Sequence, residues 1–186
     1  MVKEHSLEVL EYKKIIKMTA DRAATNIGKE IVENLKPVSN ANYIKDRLAE
    51  VTAVKSMISE FSTPPFGGVR DIRDDLKKAA KGSVLATDAI SRVRSTLRGV
   101  SELQRYLENI KTDLDPRIIE REYQVIYDLC SDLKSRPGLA REIDRCINEY
   151  GDVADDASSK LKSLRSKMDS IENSIRDKLD SIIKSK

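Results

Sequence analysis

The stretch ASSKLKSLRSKMDSIENSIRDKLDSIIKSK, Ala157 to Lys186, decides the fold class. Its apolar residues Leu161, Leu164, Met168, Ile171, Ile175 and Ile182 fall three, four or seven positions apart. That spacing puts them on one stripe of a helix, in a seam narrow enough for a coiled coil. No capping signal follows before Lys186, so the helix is expected to run to the last residue as if cut in mid-course. An apolar seam without a partner leaves surface in water, and the expected consequence is fraying or self-association.

The segments upstream read as shorter helices. An acidic bend, Asp152 to Asp156, precedes the long helix, and before it Leu139, Ile143, Cys146 and Ile147 mark a segment running to Gly151. Pro116 suits the first turn of a helix carrying Ile119, Tyr123, Ile126, Cys130 and Leu133, and Pro137-Gly138 is expected to end it. From about Thr87 to Ile110, the stripe Ile90, Val93, Leu97, Val100, Leu107 has near-heptad spacing, with Arg92, Arg94 and Arg98 off the seam; this helix is expected to lie along a partner. Asp71 is placed to cap a short helix with Ile72, Leu76 and Ala79, which Gly82 closes.

Thr63-Pro64-Pro65-Phe66-Gly67-Gly68 must interrupt any helix, because proline removes a backbone donor and paired glycines permit positive φ. Pro64, Pro65, Phe66, Gly67 and Gly68 therefore form an ordered turn or a hinge. Ahead of it, Asn40 caps a helix whose expected core stripe is Ile44, Leu48, Val51, Ile58 and Phe61. Thr25 caps a short helix with Ile27, Ile31 and Leu35 that stops before Pro37. The first helix is expected over Ser6 to Ala24, with Leu7, Leu10, Ile15 and Ile16 on its apolar side. The reading is all-α: a multi-helix bundle in which residues 1–156 form a helical core region and residues 157–186 begin a long, partly exposed helix.

Composition agrees: 39% hydrophobic and 35% charged residues, no Trp and seven Gly lean toward long, solvent-washed helices. Thirty-four basic against 31 acidic residues leave +3 overall, so any basic face must be local. The two cysteines, Cys130 and Cys146, lack the spacing of zinc or redox sites and read as buried reduced thiols. The terminus with Lys3, Glu4 and His5 has no apolar run, so neither a signal peptide nor a membrane span is expected, and the cytoplasm is the expected location.

Residues able to carry chemistry are few. Lys81-Gly82-Ser83 lacks the glycine and the Gly-Lys-Ser order of a phosphate cradle, and His5 is the only histidine, so no catalytic residue, cofactor site or metal site is assigned to this chain. Asp152, Asp155 and Asp156 lack the alternating oxygen ligands and central glycine of a calcium loop, and are expected to cap the following helix instead. Tyr123 and Tyr127, one turn apart in an apolar seam, read as core rather than as a base-stacking platform.

The charge pattern is more informative. Leu139 to Ala157 holds two basic and six acidic residues, whereas Ser158 to Lys186 holds eight basic and four acidic. Lys160, Lys162, Arg165 and Lys167 cluster in the first turns of the long helix, where they would neutralise phosphates; they are the candidate nucleic-acid contacts, the plainer reading being a solvated coiled-coil flank. A weaker patch gathers Arg70, Arg73, Lys77, Lys78, Lys81, Arg92, Arg94 and Arg98, interleaved with Asp71, Asp74, Asp75 and Asp88.

Two stretches resemble a known family. Thr63-Pro64-Pro65-Phe66-Gly67-Gly68-Val69-Arg70-Asp71-Ile72-Arg73, followed by Leu76-Lys77-Lys78-Ala79 and Gly82-Ser83-Val84-Leu85, resembles the N-terminal region of the second bacterial MutS subfamily. Arg141-Glu142-Ile143-Asp144-Arg145-Cys146-Ile147, with Gly151-Asp152-Val153 and Asp156-Ala157-Ser158, is similar to that family's bend into its lever helix, with Asp155 and Ser159 as departures. Leu10-Glu11-Tyr12, Gly28-Lys29-Glu30 and Leu35-Lys36-Pro37 extend the likeness along nearly the whole chain.

The resemblance implies the core and lever part of a dimeric protein whose ATPase domain, using ATP and Mg²⁺, and Smr nuclease module lie outside this chain. It further implies a parent that suppresses homologous recombination through branched or mismatched DNA and splits collided ribosomes. DNA or the ribosome, the missing C-terminal domains and a second copy are thus the expected partners, and a membrane is not. The alternative is a non-enzymatic helical adaptor that recruits a protein through its terminal coiled coil.

Overall fold

The computed structural model describes residues 4–184. Residues 1–3, including Lys3, and residues 185–186 lie outside the described residues, and with them the expected run of the terminal helix to Lys186. Among the described residues ten α-helices follow one another: α1 (Glu4–Val9), α2 (Tyr12–Ala20), α3 (Asn26–Glu33), α4 (Ala41–Glu60), α5 (Arg73–Ala80), α6 (Thr87–Asp113), α7 (Pro116–Ile118), α8 (Gln124–Cys130), α9 (Pro137–Cys146) and α10 (Ser159–Lys184). A π-helical turn, Ile119–Tyr123, joins α7 to α8. Among the described residues the only β feature is the isolated bridge between Ile147 and Val153. The fold is all-α.

The helix starts follow from local chemistry. The Thr25 hydroxyl accepts from the Gly28 N–H at 3.0 Å, and Asn40 Oδ1 accepts from the N–H groups of Asn42 and Tyr43, satisfying donors that the first turn leaves without helical partners. Asp71 accepts from the Arg73 N–H at 3.1 Å at the head of α5. At its tail Gly82 adopts φ 77°, so that the Ser83 N–H reaches back to the Lys78 carbonyl at 3.1 Å.

α6, about 40 Å long at 1.5 Å per residue, is the spine. Its C-terminal half packs Leu107 and Ile110 against Ala53 and Met57 of α4 and Tyr123 and Ile126 of the π turn and α8. Its N-terminal half packs Val93, Ile90 and Leu97 against Ile143, Cys146 and Ile147 of α9 and its exit. The near-heptad stripe read from the sequence thus faces two partners in succession. Tyr123 is wholly buried; its hydroxyl donates to Glu60 at 2.7 Å and its ring meets Phe61 edge-on. Tyr127 donates to the Leu107 carbonyl at 2.9 Å, so both tyrosines belong to the core.

Four expectations about the elements need correction. The first helix is broken: Glu11 takes a left-handed φ of 50° between α1 and α2, and the turn brings the Tyr12 hydroxyl to the Leu35 carbonyl. Pro137 opens α9 as its first helical residue instead of ending the helix before it, because proline's missing N–H has no helical partner at that position. On α4 the buried face is Ala53 and Met57, while Leu48 and Val51 remain 59% and 64% exposed with Ile58 beside them. On α5, Asp75 is buried and Leu76 exposed, because Arg92 of α6 reaches Asp75 with two hydrogen bonds of 2.9 Å.

Burial pushes Tyr123 up to about 12, assisted by the Glu60 carboxylate that accepts its proton; burial also raises Tyr127 and Tyr106. A raised value in the folded state favours the neutral phenol. The stabilisation is therefore complete below the ordinary tyrosine value of about 10 and is lost as pH climbs through the folded values. We expect unfolding to become easier between pH 10 and about 12. A parallel rise of tyrosinate absorbance and loss of helical circular dichroism would register it; ionisation of all six tyrosines near pH 10 with the helices intact would contradict it.

Candidate functional site

The turn and the root of the long helix, the two places singled out by sequence, are both built on α6. The turn from Thr63 to Gly68 is pinned along its length. The Phe66 N–H reaches the Pro64 carbonyl at 2.9 Å and the Val69 N–H reaches Phe66 at 3.0 Å. Ser95 of α6 donates to the Gly68 carbonyl at 2.9 Å, Thr96 accepts from the Arg70 N–H at 3.0 Å, and Tyr106 donates to the Ser62 carbonyl at 2.7 Å. Two glycines make this contact possible. A Cβ on Gly68 would stand 3.0 Å from the Ser95 carbonyl, and one on Gly99 would stand 3.2 Å from the Gly68 carbonyl carbon and from Val69. Backbone meets backbone here, as it does where small residues line a helix crossing. Pro64 is buried and Phe66 half-buried, so this segment is held as a strap across α6.

The root of α10 is clamped by arginines. Arg94 of α6 donates to the carbonyls of Ile147 and Asn148 at 3.1 and 3.2 Å, and Arg98 pairs with Asp144 of α9 at 2.7 Å. Asn148 Oδ1 accepts from the N–H groups of Tyr150 and Asp152, closing the bend. Arg145 donates to the Ala157 carbonyl at 2.9 Å while pairing with Glu142, whose carboxyl is held below its usual range by that guanidinium. From within α10, Arg165 reaches back to the Val153 carbonyl at 3.1 Å and pairs with Asp155. Ser158 caps the helix, its hydroxyl accepting from the Leu161 N–H at 3.1 Å. The cap expected from the acidic bend is thus a serine, and Asp155 holds an arginine instead.

These contacts separate the four candidate cations. Arg165 is half-buried and committed to the bend, whereas Lys160, Lys162 and Lys167 are exposed. At 3.6 residues per turn, Lys160 and Lys167 flank one side of the apolar seam, and Lys162 and Arg165 the other. They form two pairs of unequal character. Three cations of the second basic patch are engaged in ion pairs: Arg73 with Asp71 and Glu30, Lys77 with Asp74, Arg92 with Asp75 and Asp88. Arg94 and Arg98, read as merely off the seam, prove to be the clamp. Their partners are backbone carbonyls and a carboxylate about fifty positions away, which no local pattern marks.

Beyond Arg165 every described residue of α10 is exposed, including Met168, Ile171, Ile175 and Leu179 of its seam. The helix, about 39 Å long, leaves the body from a fixed root. Both cysteines are unoxidised and half-buried, and burial raises the Cys130 thiol above its usual value. No described helix is long and apolar enough to cross a membrane. Among the described residues no group of three His, Cys, Asp or Glu side chains is placed to hold a metal ion.

No protein-family model matches the chain. Individual proteins do. The chain is 46% identical over 182 residues to endonuclease MutS2 of Halothermothrix orenii, a match covering 98% of this chain and 23% of that protein. Putative endonuclease MutS2 of Bacillus subtilis is 32% identical over 96% of this chain, and endonuclease MutS2 of Clostridium botulinum 30% identical over 99% of it. In each case the match occupies 22% of the relative's length. This chain is therefore similar, along nearly all of its own length, to a stretch making up less than a quarter of the proteins named endonuclease MutS2.

Proposed function

We propose that this chain is the helical core and the beginning of the lever of a MutS2-family protein, contributing to the binding of DNA or ribosomes and to mechanical coupling with an ATPase domain elsewhere in the polypeptide. The observation that carries the reading is the match along 98% of the chain to endonuclease MutS2 at 46% identity. The geometry suits it. A strut about 39 Å long, rooted by Arg94, Arg98, Arg145 and Arg165 on a packed body, transmits a rotation of that body as a displacement at its far end. In this reading the body comprises residues 1–156 and the lever begins at 157.

ATP, Mg²⁺ and the nuclease chemistry of the parent belong to the remaining part of the polypeptide. The sequence here has no glycine-rich phosphate cradle to fit a nucleotide. The location consistent with this reading is the cytoplasm. A second reading, favoured by the exposed seam of α10, is a helical adaptor that binds a protein partner. A titration of the 186-residue chain against branched DNA, duplex DNA and ribosomes at two salt concentrations separates the two. Affinity that falls steeply with salt supports phosphate contacts within the chain; no binding to any of the three leaves the adaptor reading.

A further inference from the structure

We propose that the wedge between α6 and the start of α9 is a phosphate-binding groove that takes the sugar–phosphate backbone of a nucleic-acid strand. It rests on the nucleic-acid reading above, but its residues belong to the body and not to α10. The two helices close where Ile143, Cys146 and Ile147 pack on Ile90, Val93 and Leu97, and they part toward Arg105 and Pro137. Small side chains on the facing turns, Ser101 and Ala140, leave a groove of about 420 Å³ between them. Its walls are held in place. Arg98 pairs with Asp144 across the wedge at 2.7 Å, and Gln104 Nε2 donates to the Leu133 carbonyl at 2.7 Å, fixing the loop that leads into α9. A groove built in advance loses little freedom when it is filled.

The charge around it is one-sided. Within the groove Arg98, Arg105 and Arg141 stand against Glu102 alone, and Arg98 is already paired. Residues 133–141 add Lys134 and Arg136 and hold no acidic residue. Arg105, Lys134, Arg136 and Arg141 are all exposed, and among the described residues none of them has an ion-pair partner. The Arg141 side chain donates through Nε to the Pro137 carbonyl at 3.3 Å, which leaves the rest of its guanidinium free. Elsewhere on the body Arg47, Arg73, Arg92, Arg121 and Arg145 each meet a carboxylate.

A guanidinium without a carboxylate keeps its planar fork of N–H donors available, and that fork matches the oxygens of a phosphate two at a time. Arg105 stands on one wall and Arg141 on the other, so the ligand that satisfies both carries charge repeated along its length. An extended acidic peptide sends successive side chains to opposite sides and would offer the groove only half of its carboxylates. The phosphates of a nucleic-acid strand are continuous along its backbone.

The test titrates duplex DNA and duplex RNA of one sequence against the 186-residue chain across a salt series. Arg105→Glu combined with Arg141→Glu should weaken binding of DNA, RNA or both on the order of a hundredfold at low salt and lower the slope of log affinity against log salt by roughly 2. Helical circular dichroism should not change, since both side chains are exposed. A loss confined to one duplex names the strand that the groove takes. Arg117→Glu, at an exposed arginine of α7 without an ion-pair partner, is the control and should leave affinity and slope unchanged. Phenylglyoxal, which modifies accessible guanidiniums, reads the contact directly: bound nucleic acid should protect Arg105 and Arg141 and leave Arg117 reactive. Three results would overturn the groove while leaving the nucleic-acid reading in place: equal losses from the control, protection by polyglutamate but not by nucleic acid, or binding that survives the groove variant and falls with Lys160→Glu, Lys167→Glu. No binding of either duplex by the unaltered chain would overturn both.

Discussion

Replacing Met57 by Ala should destabilise the chain by about 2–5 kcal/mol and lower its melting temperature by on the order of 10 °C. Met57 retains 1% of its surface and lies among Leu107, Ile110, Tyr123 and Ile126, where α4, α6 and α8 meet. Truncation removes apolar contacts and leaves a cavity that three helices, tied by the Tyr123–Glu60 and Tyr127–Leu107 hydrogen bonds, are poorly placed to fill. Leu48→Ala on the same helix is the control. Leu48 is 59% exposed, and the substitution should change stability by no more than about 0.5 kcal/mol. Urea denaturation of both variants measures the contrast; equal losses would mean that the outward face of α4 is covered in solution and that the burial pattern described above is wrong.

That contrast marks where the sequence was legible and where it was not. Caps and breakers act within four residues, so Thr25, Asn40, Gly82 and the Pro64 to Gly68 segment could be placed directly from the residue string. The same holds for α6, whose stripe is unusually long. At α5, by contrast, the N-cap position is held by Ile72, and Asp71, one place earlier, bonds the Arg73 N–H. The buried face of α4 was not legible. Ile44, Leu48, Val51 and Ile58 form a longer and more regular apolar stripe than Ala53 and Met57, and periodicity ranks faces by hydrophobicity, not by which one a neighbour occupies. An apolar stripe left in water on a helix already packed on its other side means that periodicity counted two faces and the fold used one. Asp75 reversed α5 for a related reason: its partner Arg92 lies seventeen positions away, beyond any helical spacing rule.

The candidate site divides in the same way. The cluster Lys160, Lys162, Arg165 and Lys167 was visible as composition, because four cations within eight positions need no fold to be counted. Their division into two flanks follows from helix geometry alone and is recoverable from sequence once the seam is drawn. What sequence could not supply is that Arg165 is spent on Val153 and Asp155, or that Arg94, Arg98 and Arg145 fasten the bend. Those bonds end on backbone carbonyls or on carboxylates brought close by the chain's turn after α9.

The division yields the second large effect. If the nucleic-acid reading proposed above holds, a duplex lying along α10 would reach one flank at a time, so Lys160 and Lys167 would contact phosphates together while Lys162 points elsewhere. Lys160→Glu combined with Lys167→Glu should remove about two phosphate contacts, lowering the slope of log affinity against log salt by roughly 2 and weakening binding on the order of a hundredfold at low salt. Lys162→Glu alone should leave the slope unchanged. Arg165 is unsuited to this test, because changing it would also release the root of the helix. Titration of duplex DNA against the three chains across a salt series reads the difference. Equal losses from both variants would point to diffuse attraction to the whole basic segment; no loss from either would remove the first turns of α10 from the nucleic-acid interface and leave their lysines as the solvated flank of a helix.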